Sequence, residues 1–554
     1  MRSVLRATAF LLAGLVADVS AISKITRQGR YLYNSTQDRF YIQGVAYQEQ
    51  GTVISSAANA FGEPSSFIDP LSNGTACQRD LPFLQQLKVN TIRAYSVNSS
   101  LNHDDCMQLF SNAGIYTIID LTLPVNGSID RASPSWSTNL LNLYTDTIDA
   151  FAKYDNVLAY NVGNEVVIQS NGTDVAAYVK AAARDIKAYL TSKSSSALVG
   201  YASIDGTSDF KDPLANYLSC DPSNGNSGST SIDLYGLNNY EWCGNSTFEA
   251  SYAGVEGDFA GYNVPAYFSE FGCITAGARD WTEVAALFSS QMSPVWSGGL
   301  AFSYFPATSV QGQFGMVNIS ADGSTVTPLP DFDTLVTQYG QVNAPNTPLQ
   351  GAAGSTSYPG CPAQNATWLA SPNLPPTPDN AACACLEQDL SCQFTPEISN
   401  YTIVVGELLD AGCSLLAQAG GNCNDISSSG ASGTYGRVSY CDPPTKLSFV
   451  FTQYYQANNR NPVSCSFAGN ATVNGGAPSD VSSANAAATA CFASVSAVFT
   501  PTSPVTASSS ATGSSTSKSG SSNGALPLIG DLRVFWGLGL ALSMAIASGV
   551  WTLA

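Results

Sequence analysis

Leu158 to Val167 reads LAYNVGNEVV, and Ala266 to Cys273 reads AYFSEFGC. Each is a short apolar run of strand type that ends on a glutamate, Glu165 in the first and Glu270 in the second. A carboxylate at the end of a buried strand costs desolvation energy unless it has partners or a task. Two of them, about a hundred residues apart, are what breaking a glycosidic bond needs: one carboxyl protonates the leaving oxygen while the other attacks the anomeric carbon.

The same kind of run recurs on either side. Tyr41–Ala46, Thr91–Ser96, Tyr116–Leu121, Leu158–Gly163, Leu198–Ser203, Leu234–Asn239, Ala266–Phe271 and Leu300–Phe305 are all apolar and short. Amphipathic stretches of helical type lie between them, such as Leu81–Leu87, Thr138–Phe151, Val175–Ala188 and Trp281–Phe288. Strand and helix alternating in this way predict a (β/α)₈ TIM barrel, whose strands, buried on both faces, should be continuous apolar runs. Glu165 and Glu270 then fall after the fourth and seventh strands, at the C-terminal mouth where such barrels keep their sites. An open doubly wound sheet would want a glycine-rich phosphate turn, which the chain lacks.

The 554 residues are too many for one ordinary domain. A net charge of −19 speaks against nucleic acid as a partner, and 10% aromatic residues with few charges suit a neutral, hydroxyl-rich ligand. His103, the single histidine, lies in the polar stretch LNHDDC and reads as a surface residue. A Ser/His/Asp triad or a histidine-ligated metal would rest on it alone, so neither is expected.

Residues 1–21 carry Arg2, Arg6 and an apolar run, then Val19-Ser20-Ala21, as a secretory signal does. Fourteen cysteines and ten Asn-x-Ser/Thr sequons, at Asn34, Asn73, Asn98, Asn126, Asn171, Asn245, Asn318, Asn365, Asn400 and Asn470, fit that compartment. After a barrel domain at 22–343, the stretch 344–380 is rich in Pro, Ser, Gly and Asn and reads as a linker. Eight cysteines then crowd into a module at 381–495, whose interleaved aromatics, Tyr454–Tyr455 among them, suggest an accessory that holds carbohydrate. A Ser/Thr-rich stalk follows at 496–523. Small residues, the spacer LPLIGDLR and an apolar tail make up 524–554, a glycolipid (GPI) anchor signal with attachment at Ser521, Ser522 or Asn523. A membrane-spanning helix is the alternative for that tail, weakened by the lack of a basic flank after it.

Eight stretches, parts of the two opening ones among them, carry a family resemblance: GVAYQ (Gly44–Gln48), NTIRAYSVN (Asn90–Asn98), GIYTIIDL (Gly114–Leu121), SIDRASPSW (Ser128–Trp136), NVGNEV (Asn161–Val166), GLNNYEWCG (Gly236–Gly244), SEFGC (Ser269–Cys273) and WSGGL (Trp296–Leu300). With them the chain resembles the fungal GPI-anchored β-1,3-glucanosyltransferases of the Gas/Gel/Phr type, over nearly its whole length. The resemblance implies a retaining transferase of the cell surface and wall, acting as a monomer on β-1,3-glucan donor and acceptor chains, with no cofactor and no metal. It implies that Glu165 is the acid/base and Glu270 the nucleophile, with carboxyls about 5–5.5 Å apart as retention requires. Asn164 would meet the sugar 2-OH, and Tyr47, Gln48, Tyr95, Asp120, Asn239, Tyr240, Glu241 and Tyr304 would line the mouth.

The resemblance also implies the disulfides Cys77–Cys106, Cys243–Cys273, Cys220–Cys361, Cys383–Cys441, Cys385–Cys491, Cys392–Cys465 and Cys413–Cys423. The chain departs from the family pattern at Glu49, in place of a common Pro, and at Ser303, Ala307 and Phe314 around the eighth strand. Those positions bear on the acceptor side. A retaining endo-β-1,3-glucanase, or a wall protein that binds glucan without turning it over, are the alternatives.

Overall fold

The computed structural model describes residues 22–51, 66–123, 128–309, 311–396, 398, 401–492 and 498–503. The signal segment, the stalk beyond Ser503 and the apolar tail lie outside them. Among the described residues no helix is long and apolar enough to cross a membrane.

Eight strands close a parallel barrel: β1 (Ile42–Ala46), β2 (Thr91–Ala94), β3 (Tyr116–Asp120), β4 (Val157–Asn164), β5 (Leu198–Ile204), β6 (Leu234–Asn238), β7 (Ala266–Phe271) and β8 (Trp296–Ala301), with β8 pairing back to β1. The helices that cover it include α1 (Gly74–Gln86), α2 (Asp104–Asn112), α3 (Thr138–Phe151), α4 (Ala176–Ser192), α5 (Ser208–Ser219), α6 (Ala253–Asp258), α7 (Glu283–Leu287) and α8 (Pro330–Gly340). The side of the strands that faces the helices is mostly apolar, and the main core lies there. A second core holds the first inward residues of the strands, among them Ile42, Tyr116, Leu158, Leu198 and Leu234. Ile25 and Leu32, on and beside the hairpin Thr26–Gln28/Tyr31–Tyr33, pack against it and stop the lower end of the barrel. One or two residue pairs farther along β2, β3 and β6, the inward positions turn polar, with Arg93, Asp120 and Asn238. A strand alternates its side chains between two faces, so an apolar base and a polar mouth can share one interior.

The eighth strand corrects the sequence reading, which placed it at Leu300–Phe305. It is Trp296–Ala301, and glycines are what let it close the barrel. Gly298 has φ +87°, and a Cβ there would lie 2.2 Å from the Ile42 carbonyl oxygen. Only glycine lets β8 approach β1 this closely, and the β8–β7 register shifts at the same place.

His103 also differs from expectation. It is buried, its Nε2 is 2.8 Å from Asp69 Oδ2, and its ring packs on Phe151. The polar residues around it in sequence point outward while the imidazole turns in.

The segment 344–380 is laid against the barrel rather than free of it. Trp368 is fully buried in the main core, and Thr377 Oγ1 donates to Asp185 of α4 at 2.7 Å. The module that follows is helical, with α9 (Asn380–Asp389), α10 (Thr402–Gln418), α11 (Pro443–Ala457) and α12 (Val481–Cys491) around two small clusters of apolar residues. It meets the barrel where Thr138 N–H donates to the Tyr440 carbonyl at 2.8 Å and where Asn142 and Asn380 exchange amide hydrogen bonds. Tyr455 belongs to the module's core, while Tyr454 is half-buried against Phe467; neighbours on a helix point about 100° apart, so the two cannot share one exposed face. Seven disulfides form: Cys77–Cys106, Cys220–Cys361, Cys243–Cys273, Cys383–Cys441, Cys385–Cys491, Cys392–Cys465 and Cys413–Cys423.

Candidate active site

Glu270 is the penultimate residue of β7 and is 8% exposed. Its Oε1 accepts the Tyr95 hydroxyl at 2.8 Å and Arg93 Nη1 at 3.3 Å, and its Oε2 accepts the Tyr240 hydroxyl at 2.8 Å. Burial raises both phenols well above their ordinary range, so they remain donors at any working pH. Burial likewise pushes the Glu270 carboxyl up to about 7; the Arg93 charge opposes this, the Glu165 charge adds to it, and the two phenols oppose it further.

Arg93 stands at the centre of the interior, fully buried on β2. It forks onto Asp120 of β3 at 2.7 and 3.2 Å, reaches Glu270, and donates through Nη2 to Asn164 Oδ1 at 2.9 Å. Asp120 is held in turn by Asn161 Nδ2 at 2.6 Å. A guanidinium is the side chain suited to this place, since it cannot lose its proton and offers five donors in one plane. Burial opposes its charge, but Asp120, Tyr95 and Glu270 outweigh it and hold the pKa well above the ordinary range.

Glu165 follows β4 with a left-handed backbone, φ 49°. Its backbone carbonyl accepts two hydrogen bonds from Arg131, and Tyr201 on β5 takes the next two N–H groups, of Val166 and Val167, on its hydroxyl. A non-glycine residue in that conformation is held there by such contacts and turns its side chain out of the strand's alternation. Asn238 Nδ2 donates to Glu165 Oε1 at 2.7 Å and to Asn164 Oδ1 at 3.2 Å. The carboxyls of Glu165 and Glu270 thus share one mouth, across which the charge of the first acts on the second.

The other expected mouth residues divide into four groups. Tyr95, Tyr240, Asp120 and Asn164 belong to the network just described. Gln48 stands behind it, its Oε1 accepting the backbone N–H groups of Tyr95 and Ser96, both at 3.0 Å, and so fixing the loop that carries Tyr95. Asn239 is buried and donates to Asp205 and to Glu241, while Glu241 is exposed at the rim. Tyr47 and Tyr304 are elsewhere: both are fully buried, and both hydroxyls donate to Asp80 of α1, at 2.8 and 3.1 Å. Just past a strand end, one residue for Tyr47 and three for Tyr304, a side chain can turn to the helix layer as readily as to the mouth, and these two turn to the helices.

Arg93, Asn238 and Ser269 are the members of the network that the sequence reading passed over. An arginine inside a run otherwise read as buried strand is itself a signal, because it requires a carboxylate facing it. Around Glu270 the rings of Tyr95, Phe302, Phe314 and Tyr240 meet edge to face, and Cys243–Cys273 ties the loops after β6 and β7 behind them. Two carboxyls at one mouth, one gathering a guanidinium and two phenols, can perform nucleophilic displacement at a sugar carbon with proton transfer.

Residues 14–343 match the family described as Glucanosyltransferase, and residues 390–472 match the X8 domain. Among curated proteins, 1,3-beta-glucanosyltransferase gas1 of Schizosaccharomyces pombe is 38% identical over 467 residues, covering 83% of this chain and 81% of its own. The pH-responsive protein 2 of Candida albicans is 35% identical over 474 residues, covering 85% of this chain and 82% of its own. Among solved structures, the apostructure of a Glu-to-Gln mutant of Saccharomyces cerevisiae Gas2p superimposes with a TM-score of 0.73 at 33% identity, covering 87% of this chain and 98% of that one. The same mutant in complex with laminaritetraose and laminaripentaose gives 0.72 at 33% identity, covering 86% and 98%.

Proposed function

Because this chain belongs to the glucanosyltransferase family, we propose that it cleaves β-1,3-glucan internally and transfers the new reducing end to another chain by a retaining double displacement, with Glu270 as nucleophile and Glu165 as acid/base. The observation that carries this reading is the convergence of Arg93, Tyr95 and Tyr240 on Glu270, facing Glu165 across the mouth. Oε1 of Glu270 receives two donors and Oε2 one, so Oε2 keeps a lone pair for attack. In the first half, Oε2 bonds to the anomeric carbon, the bond to the leaving 3-oxygen breaks, and the Glu165 proton goes to that oxygen. In the second half, the 3-hydroxyl at the non-reducing end of an acceptor gives its proton to Glu165, its oxygen takes the anomeric carbon, and the ester to Glu270 breaks. Transfer exceeds hydrolysis when bound sugar is positioned for this attack better than water is.

Asn164 supports the reading from the side of the sugar. Its Oδ1 is occupied by Arg93 and Asn238, which leaves Nδ2 for the substrate's 2-hydroxyl. In the same reading the X8 module holds glucan beside the mouth, and the chain is exported and kept at the cell surface by a glycolipid attached near Ser522.

Purified enzyme given a reduced β-1,3-gluco-oligosaccharide should yield products both shorter and longer than the substrate by mass spectrometry. Shorter products alone would make it an endo-glucanase, and none at all, despite binding, would leave a wall protein that only holds glucan.

The pH profile follows from Glu270. With Glu165 charged, the pair takes up a proton as pH falls through about 7. The reaction needs one proton on the pair, carried by Glu165, so kcat/KM should fall about tenfold per pH unit above that point. A profile still rising between pH 7 and 9 would contradict the assignment.

A further inference from the structure

Asn238 and Ser269 have no part in the two displacements, yet they touch the group that moves the proton. Asn238 ends β6, is 3% exposed, and has its whole amide engaged. Nδ2 donates to Glu165 Oε1 and Asn164 Oδ1, and Oδ1 accepts the Ser269 hydroxyl at 2.7 Å. Room for that hydroxyl comes from Gly236, where a Cβ would lie 2.6 Å from Ser269 Oγ.

The direction of the amide is decided two residues away. Arg93 can only donate, so Asn164 must present Oδ1 to it. An oxygen there obliges Asn238 to offer Nδ2, because a flipped amide would set its own oxygen against Asn164 Oδ1 and Glu165 Oε1 together. The orientation therefore does not depend on whether Glu165 is protonated.

We propose that Asn238 is a positioning residue that keeps Glu165 Oε1 an acceptor throughout the cycle and so confines the transferable proton to Oε2. This rests on the reading of Glu165 as acid/base. A carboxyl has two oxygens and one proton; with Oε1 receiving an N–H, the O–H can stand only on the other. A donor of this kind also favours the ionised form, which helps Glu165 accept the proton of the incoming 3-hydroxyl and hinders its retention of a proton at rising pH. Among the described residues, the charged or titratable groups facing Glu165 include Glu270 on β7, Tyr240 after β6, Tyr201 on β5, Arg131 after β3, and Arg93 through Asn164.

The test is the kcat/KM–pH profile of Asn238→Ser and Asn238→Asp in the full chain. Without the donor, the pair should hold its shared proton to higher pH, so the basic limb should move up in Asn238→Ser, by at most about one pH unit, and farther in Asn238→Asp, where a carboxylate faces Glu165. At the optimum kcat should fall more than tenfold with KM changed less than threefold, since the group acts on the proton and not on the sugar. Limbs that stay in place in both variants, with only a lower kcat, would overturn the proposal, as would a downward shift. Asn238→Asp preserves the shape of the side chain and decides alone if Asn238→Ser does not fold. Glu165→Gln judges the parent reading separately: if it retains wild-type turnover, Glu165 is not the acid/base, whatever Asn238 does.

Discussion

Glu270→Gln should lower transfer by at least about 10⁴-fold, because in the proposed mechanism Glu270 supplies the oxygen that attacks the anomeric carbon. The substitution keeps the shape of the side chain and removes its charge, so activity and stability should part company. Glu270 binds protons more readily in the folded chain than an ordinary carboxyl does, being held up to about 7. Its contribution to stability is therefore complete at acid pH and is lost as pH rises from the ordinary carboxylate range to about 7. Above that point the folded chain holds a buried charge that glutamine does not impose. The variant should accordingly melt near the wild-type temperature at pH 5 and no lower than wild type at pH 8, as scanning calorimetry would show. A variant that is inactive and also much less stable at pH 8 would place Glu270 among structural ion pairs and remove it from the chemistry. Glu165→Gln makes the complement: with an aryl β-1,3-oligoglucoside, whose leaving group needs no proton, it should accumulate the glycosyl ester on Glu270, visible as added mass on the intact protein. No added mass, with the aryl group still released, would argue against a covalent intermediate.

The barrel was legible because buried parallel strands leave continuous apolar runs, and seven of the eight runs overlap their strands closely. The two glutamates were legible for a related reason, each being the first charge after such a run. What the sequence does not carry is the face on which a residue near a strand end will lie. Tyr47, one residue beyond β1, turns to Asp80 in the helix layer, whereas Tyr95, one residue beyond β2, turns to Glu270. Of the adjacent pair Asn238 and Asn239, the first reaches Glu165 and the second Asp205, and the β6–β7 register shifts between Leu237 and Asn238. A bulge exchanges the two faces of a strand, and apolar patterning gives no sign of one. The eighth strand was misplaced for the opposite reason: glycine reads as a breaker where its lack of a side chain is what allows closure. Arg93 could have been found, since it is the one cation within the eight runs of apolar residues and a buried cation demands an anion opposite.

Arg93→Met tests that demand. The substitution takes a donor from Glu270, unfastens Asn164, and leaves Asp120 buried with Asn161 alone. Removing one partner of a buried ion pair costs about 3–5 kcal/mol, and the lost hydrogen bonds at the mouth should lower kcat by about 10³-fold or more. Either loss alone would be ambiguous, since an unfolded enzyme is also an inactive one. The double variant Arg93→Met/Asp120→Asn separates them: with both charges gone and the amide still able to meet Asn161, most of the lost stability should return. Activity should not return with it, because Glu270 would still lack its guanidinium and Asn164 would still be free to turn. Thermal melts and single-turnover rates on the three proteins decide between the roles. If rate recovers together with melting temperature, Arg93 serves only to hold the barrel together. If melting temperature recovers and the rate stays low, the arginine's charge is part of how Glu270 is kept ionised although buried.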